Sequence, residues 1–338
     1  ILLAHNGPEY FDVQFAGQRI GSIAVLLNWR LTVSELEFIV GDCSPSVLIY
    51  SPEFAETANE IAARCGVETL IPIDDDYEAI VGSGAQPETC LVEHDDPSTI
   101  MYTSGTTGHP KGAIITHGMT FWNCVNLGIP ALITPNTVQL VVLPLFHTGG
   151  LNCYANPVLH AGGRIVIART FDPGEALRII GDPSYEVTHF FAVPAPYQFM
   201  MQHPDFETTD LSRLQVAGVG GAPCALPIME RWAERGIEVA QGFGMTELSP
   251  VSHVTRMGGF KPGTCGVTVA NTECRIVDVE NGDDQDVGGV GELWVRGPQV
   301  MKGYLNNPEA TAHTIDDDGW LRSEEHTSEL QSPDHLVC

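Results

Sequence analysis

The segment Tyr102-Thr103-Ser104-Gly105-Thr106-Thr107-Gly108-His109-Pro110-Lys111-Gly112 interleaves glycines with hydroxyls and ends on a lysine. Glycines let backbone N–H groups converge on an anion, and the hydroxyls add further donors, so the segment suits phosphate oxygens. Lys111 supplies a fixed cation in a chain whose only other lysines are Lys261 and Lys302. The spacing is not that of a Walker A loop. Pro110 separates Gly108 from Lys111, and Gly112 stands where that loop places its metal-binding hydroxyl. A glycine-rich structural turn is the bland alternative.

A second cluster, Gly242-Phe243-Gly244-Met245-Thr246-Glu247, follows the apolar stretch Ile237 to Ala240. In open α/β sheets, ligands sit beyond the carboxyl ends of strands. There Phe243 can stack on a planar base, and Thr246 can donate to a phosphate oxygen. Glu247 can hold a hard Mg²⁺ that also takes phosphate oxygens. Taken alone, the same residues also fit a tight turn with a core Phe and a surface Glu. The phosphate-type segment earlier in the chain favours the site.

These residues need elements to hold them. Thr32-Val33-Ser34-Glu35 has capping-box spacing ahead of a helix carrying Val33, Leu36 and Val40 on one face. Val47 to Tyr50 reads as a buried strand. Ser51-Pro52 then opens a helix with Phe54, Ala58, Ile61 and Cys65 on one face, which Gly66 ends. Val67 to Ile73 resumes a strand. Similar strand–helix alternation recurs from Val138 to Ala240, with a helix capped at Asp172-Pro173 and strands at Val187 to Val193 and Leu214 to Val219. This βαβ rhythm predicts parallel pairing. Residues 74–98 are rich in Asp, Gly and Pro and read as a solvated connector with a short strand at Cys90 to Val92. Beyond about residue 262, Cys274 to Val279 and Gly291 to Arg296 flank the turn Asn281-Gly282-Asp283-Asp284. They predict a small antiparallel β region.

Composition bounds the partners. The chain has 338 residues, 43 % of them hydrophobic, which excludes a disordered chain. Asp and Glu number 43 against 16 Lys and Arg, a net charge of −27. Such a field repels phosphate backbones and anionic membrane surfaces, so no nucleic-acid partner is expected. Nine scattered cysteines without a C-x-x-C pair read as buried thiols in a reducing compartment, and no transmembrane run or signal peptide is visible. A cytoplasmic location is expected. The oligomeric state is not set by the sequence.

The two clusters, together with Gly291-Glu292-Leu293-Trp294-Val295-Arg296-Gly297, Gly303-Tyr304 and Pro308-Glu309-Ala310-Thr311, resemble the adenylate-forming (AMP-binding) superfamily. The likeness runs from about residue 10 to 322. Asn28-Trp29-Arg30-Leu31, Pro144-Leu145-Phe146-His147 and Gly221-Ala222-Pro223 are similar to its acyl- and aryl-CoA synthetase branch. The resemblance implies an α/β fold, the large N-terminal domain of such enzymes. Its mostly parallel βαβ-type sheets would be flanked by helices over residues 1–261, with a smaller antiparallel β region over 262–322. It also implies the cosubstrates ATP with Mg²⁺, a fatty or aryl carboxylic acid, and CoA. The acid would attack the α-phosphorus of ATP to give acyl-AMP and pyrophosphate, and the CoA thiol would then expel AMP. Loading of a carrier-protein thiol, or nucleotide binding without catalysis, are the alternatives.

By the same likeness, Thr103, Ser104, Gly105, Thr106, Thr107, Gly108 and Lys111 would cradle the β- and γ-phosphates. Gly221, Ala222, Pro223, Gly242 and Phe243 would border the adenine. Thr246 would meet the α-phosphate, Glu247 the metal, and His147 the substrate carboxylate. Amino-acid-activating relatives place an Asp in the segment around His147. Phe146-His147-Thr148 has no carboxylate, which implies an acid without an α-amino group. Phe190, Phe191, Pro194, Pro196, Tyr197 and Met200 read as an apolar wall of the acid pocket, or equally as core.

The family pattern continues from D-G-W-[FL]-[RHK] into T-G-D and then a C-terminal cap domain. Here Asp318-Gly319-Trp320-Leu321-Arg322 runs into Ser323-Glu324-Glu325-His326. Residues 323–338 are therefore expected to be a non-native or disordered tail on a fragment that lacks the cap domain, and the chain by itself to turn over slowly.

Overall fold

The computed structural model describes residues 1–84, 86, 88–103, 109–255, 259, 261 and 263–326. The described strands, in chain order, are β1 (Leu2–Leu3), β2 (Ala24–Val25), β3 (Val47–Tyr50), β4 (Thr69–Pro72), β5 (Pro97–Thr103), β6 (Lys111–Thr116), β7 (Val138–Val141), β8 (Arg164–Ile167), β9 (His189–Ala192), β10 (Val216–Val219), β11 (Val239–Gly244), β12 (Val251–Val254), β13 (Val267–Thr268), β14 (Glu273–Val277), β15 (Glu292–Arg296) and β16 (Leu321–His326).

They form four sheets. The largest has the order β13-β12-β11-β10-β9-β7-β8. Its members from β8 to β11 are parallel, and β12 and β13 are added antiparallel at one edge. The β1-β3-β4 sheet is parallel. In the β2-β5-β6 sheet, β5 and β6 form an antiparallel pair. The β14-β15-β16 sheet is antiparallel throughout. This is the α/β architecture expected, with parallel crossovers where strands alternate with helices and an antiparallel unit where they do not.

Local chemistry explains the helix boundaries. The Thr32 and Glu35 side chains cap each other's backbone at the start of Val33–Cys43. Asp172 accepts from the Glu175 N–H at 2.8 Å, with Pro173 at the first position of Pro173–Gly181. One face of the largest sheet packs against helices through Trp232, Phe190, Tyr197, Phe206 and Met200, all fully buried. Tyr197 and Phe206 meet the Trp232 ring edge-on, with centroids 5.1 and 4.9 Å away. The Trp232 indole donates to the Tyr197 carbonyl and the Tyr197 hydroxyl to the Gly218 carbonyl, so the polar atoms of this core are satisfied.

The structure corrects three expectations. Residues 75–82 form a helix rather than a solvated connector, anchored by the buried ring of Tyr77, whose hydroxyl reaches Asp12 at 3.1 Å. No strand forms at Cys90 to Val92. Leu91 is 89 % exposed and finds no sheet edge. Residues 323–326, grouped with the tail, lie in β16, which pairs with β15 through Trp294↔Arg322 and Glu292↔His326. Ladder hydrogen bonds come from the backbone and do not need a family-like sequence. At the other boundary, β13 belongs to the largest sheet although it lies beyond residue 261. Residues 327–338 are outside the described residues. No described helix is long and apolar enough to cross a membrane.

Candidate active site

The carboxyl ends of β9, β10 and β11 open onto a cavity of about 1140 Å³ whose wall also includes Thr103 and Lys111 of the β5–β6 hairpin and Tyr304. Thr103 ends β5 and pairs with Lys111, which begins β6. Both flanks of the glycine-rich segment therefore reach the cavity wall together. Ser104, Gly105, Thr106, Thr107 and Gly108 lie outside the described residues. His109, just beyond them, stacks on Phe38 with centroids 4.7 Å apart and planes 18° from parallel.

The second cluster comes off β11. Gly242, Phe243, Thr246 and Glu247 all line the cavity. The turn after β11 is tight: a Cβ at Gly244 would overlap the Pro250 carbonyl oxygen, which accepts from the Met245 N–H at 2.9 Å. That turn delivers Thr246 and Glu247, 8 % and 6 % exposed, to the wall. Gly221 follows β10 with φ +76°, a conformation that favours glycine. Gly221 lines the cavity, whereas Ala222 and Pro223 are exposed and stand beside it. The loop is fixed by Gln241, whose side chain accepts from the Cys224 N–H at 2.7 Å and donates to the Thr264 carbonyl at 3.3 Å.

The two clusters meet through a residue to which the sequence reading gave no role. Tyr304 donates its hydroxyl to Glu247 Oε1 at 2.7 Å, and the Lys111 ammonium sits 4.6 Å from the Tyr304 ring centroid. Glu247 is thus a buried carboxylate whose side-chain partner is a neutral phenol. Among the described residues no basic side chain forms an ion pair with it. A buried, unneutralised carboxylate favours a cation. The described residues hold no group of three His, Cys, Asp or Glu side chains that could bind a metal. Any ion at Glu247 would complete its shell with phosphate and water oxygens, as Mg²⁺ does.

His147 lies on the same cavity, at the end of the segment that begins with Leu143. Its ring is accessible to the cleft, yet the protein around it removes enough water to lower its pKa. The imidazole is therefore held in its neutral form. The cavity also has an apolar wall, on which Leu127, Ala131, Cys153, Tyr154 and Val251 form one buried cluster with Phe191 packed against it. Burial pushes the Cys153 thiol and the Tyr154 phenol upward, so both stay neutral. The carboxylates among the described lining residues are Glu247 and Glu35, and Glu35 is occupied in the Thr32 cap. Of the expected apolar wall only Phe191 faces the cavity. Phe190 points into the helix-covered core because successive residues of β9 face opposite sides, Tyr197 and Met200 of the helix Pro194–Gln202 pack in the same core, and Pro196, buried on that helix, and Pro194 do not line the cavity. His253 also lines the cavity and was not singled out by the sequence. It is fully buried, with Nδ1 2.9 Å from Ser252 Oγ, and burial lowers its pKa to about 3.

A family profile described as "AMP-binding enzyme" matches residues 1–305. A feruloyl-CoA synthase from Amycolatopsis is 38 % identical over 327 residues, covering 95 % of this chain and 64 % of that protein. ATP-bound MatB from Rhodopseudomonas palustris superposes with a TM-score of 0.87 at 28 % identity, over 95 % of this chain and 64 % of MatB. The inhibitor-bound N-terminal domain of FACL13 from Mycobacterium tuberculosis gives a TM-score of 0.87 at 29 % identity, over 95 % and 81 % of the two chains. The chain therefore spans 64 % of the length of the feruloyl-CoA synthase it matches. With the match running through both clusters and the fold agreeing over 95 % of the chain, this protein belongs to the AMP-binding enzyme family.

Proposed function

We propose that this chain carries the acid-activating site of an ATP-dependent carboxylic acid–CoA ligase. The carrying observation is that Lys111 and Glu247, from separate motifs, meet across Tyr304 on the wall of one cleft. A cation and an uncompensated carboxylate at that spacing suit a polyphosphate and its metal. In this reading Thr103, the segment 104–108 and Lys111 bind the β- and γ-phosphates. Thr246 donates to the α-phosphate, and Gly221, Gly242 and Phe243 border the adenine, with Ala222 and Pro223 at its edge. Glu247 would hold Mg²⁺, which when bound neutralises charge on the phosphate oxygens. The carboxylate oxygen attacks the α-phosphorus, the bond to pyrophosphate breaks, and acyl-AMP forms. Lys111 and the surrounding donors stabilise charge as it moves onto pyrophosphate. Neutral His147 hydrogen-bonds the carboxylate without taking its negative charge. The CoA thiol then attacks the acyl carbon and expels AMP.

The substrate class follows from the cavity's apolar wall, which has no carboxylate to pair with an ammonium. A fatty or aryl acid fits, and an α-amino acid would leave its charge unpaired. The feruloyl-CoA synthase relative supports an aryl acid, and the free cysteines among the described residues, several of them buried, support the cytoplasm as the compartment. The test is acid-dependent exchange of labelled pyrophosphate into ATP, run with an arylpropenoate, octanoate and leucine. Slow exchange with the first two is expected. Release of ADP and orthophosphate, or a preference for leucine, would overturn the reading. Offering CoA and a carrier-protein thiol side by side separates the two acceptors.

A further inference from the structure

The contact that joins Lys111 to Glu247 is also what keeps them apart. A lysine and a carboxylate on one cleft wall attract each other, and a direct ion pair would neutralise both. Lys111 would be withdrawn from phosphate and Glu247 from metal. Tyr304 touches both: the ammonium rests over its ring face, 4.6 Å from the centroid, and its hydroxyl donates to Glu247 Oε1 at 2.7 Å. A cation over an aromatic face keeps its charge and remains free to bind an anion. A carboxylate held at one oxygen by a phenol keeps its charge and a fixed orientation.

Tyr304 can act this way because its own backbone is tied on both sides. The Met301 N–H donates to the Glu247 carbonyl at 2.8 Å, linking this segment to the turn after β11. On the other side the Ile114 N–H donates to the Gly303 carbonyl at 2.9 Å and the Leu305 N–H to the Gly112 carbonyl at 2.8 Å. The Tyr304 N–H donates to Thr311 Oγ1 at 2.9 Å. Segment 301–305 is thus an added edge to β6 that also grips Glu247, and the Tyr304 side chain is 6 % exposed between them.

We infer that Tyr304 is a positioning residue: its ring prevents a Lys111–Glu247 ion pair and its hydroxyl aims the Glu247 carboxylate at a divalent cation. The inference rests on the acid-activation reading. It separates two parts of one side chain. Tyr304→Phe keeps the spacer and loses the aim, and Tyr304→Leu loses both.

The experiment measures equilibrium binding of ATP to the full chain across a Mg²⁺ titration and in EDTA, with thermal unfolding of each variant alongside. For Y304F the Mg²⁺ concentration giving half of the metal-dependent gain should rise about 10-fold, the effect expected for loss of a partner that orients a metal ligand. Its metal-free ATP affinity should stay close to the parent's, with a modest fall in unfolding midpoint from the lost hydrogen bond to a buried carboxylate. Y304L should in addition weaken metal-free ATP binding, because Lys111 collapses onto Glu247. If Y304L does not fold, Y304F decides alone. An unchanged Mg²⁺ dependence in Y304F, or metal-free binding lowered in Y304F as much as in Y304L, overturns the inference while leaving the parent's ATP binding intact. Absence of Mg²⁺-dependent ATP binding by the parent chain overturns the acid-activation reading and this inference with it.

Discussion

Phe190 and Phe191 are neighbours on β9 and lead different lives. Phe190 is fully buried against Tyr197 in the helix-covered face of the largest sheet. Phe191 is half-buried on the opposite face, tilted against Tyr154 and open to the cleft. One side of the sheet is packed against helices, while the other faces the cavity that His147, Lys111 and Glu247 also line. The contrast teaches that apolar character marks both the stabilising face and the binding face, and that only the side of the strand tells them apart.

The largest effect should come from the packed side. Trp232→Ala removes the ring that Tyr197 and Phe206 pack against and leaves a void, at a cost of about 3–5 kcal/mol. Chemical denaturation should show it, and Phe191→Ala should cost much less while changing which acids are accepted. Equal destabilisation by the two substitutions would erase the distinction between the faces.

On the cleft side, Glu247→Gln keeps shape and an acceptor for the Tyr304 hydroxyl but removes the charge. Acid-dependent pyrophosphate exchange should fall about 10²–10³-fold, the scale for loss of a preorganised electrostatic contact to the reacting centre, with little change in unfolding midpoint. A loss of stability matching the loss of exchange would make Glu247 a structural residue.

A more gradual effect, spread over several pH units, separates the faces by pH. His253 titrates at about 3 when folded because burial disfavours its charged form. The unfolded chain, with an ordinary histidine pKa near 6.5, binds the proton first. The stability contribution is therefore present above pH 6.5 and is lost as pH falls toward 3, at up to about 1.4 kcal/mol per pH unit. His253→Gln should flatten that part of the stability–pH curve. An unaltered slope would place the acid sensitivity elsewhere.

Much of this was legible in the residues themselves. The Thr32–Glu35 and Asp172 caps, the strand Val47–Tyr50 and the parallel rhythm follow from local patterns, and the structure contains them. The two clusters proposed as the site stand out in the sequence because each is contiguous. Tyr304 was visible only as part of a family-like stretch, because its role arises from a hydrogen bond to a residue 57 positions away. Phe190 and Phe191 were indistinguishable because alternation fixes opposite faces but not which face is covered. The Asp75–Gly82 helix was missed because its Asp-rich start looks like a solvated loop, while the Tyr77–Asp12 contact that anchors it is long-range. β16 was missed because its pairing is made by backbone.

The central claim is that one cleft, lined by Lys111 and Glu247 and by an uncharged apolar wall, holds an acid and ATP side by side. Its most direct test is equilibrium binding of two stable acyl-adenylate mimics to the full chain, an arylpropenoyl and a leucyl sulfamoyl adenosine, each in competition with ATP. The account predicts that the aryl mimic displaces ATP one for one and binds at least about 10²-fold more tightly than the leucyl mimic, whose ammonium finds no partner. Simultaneous binding of ATP and the aryl mimic, or equal affinity for the two mimics, would contradict it.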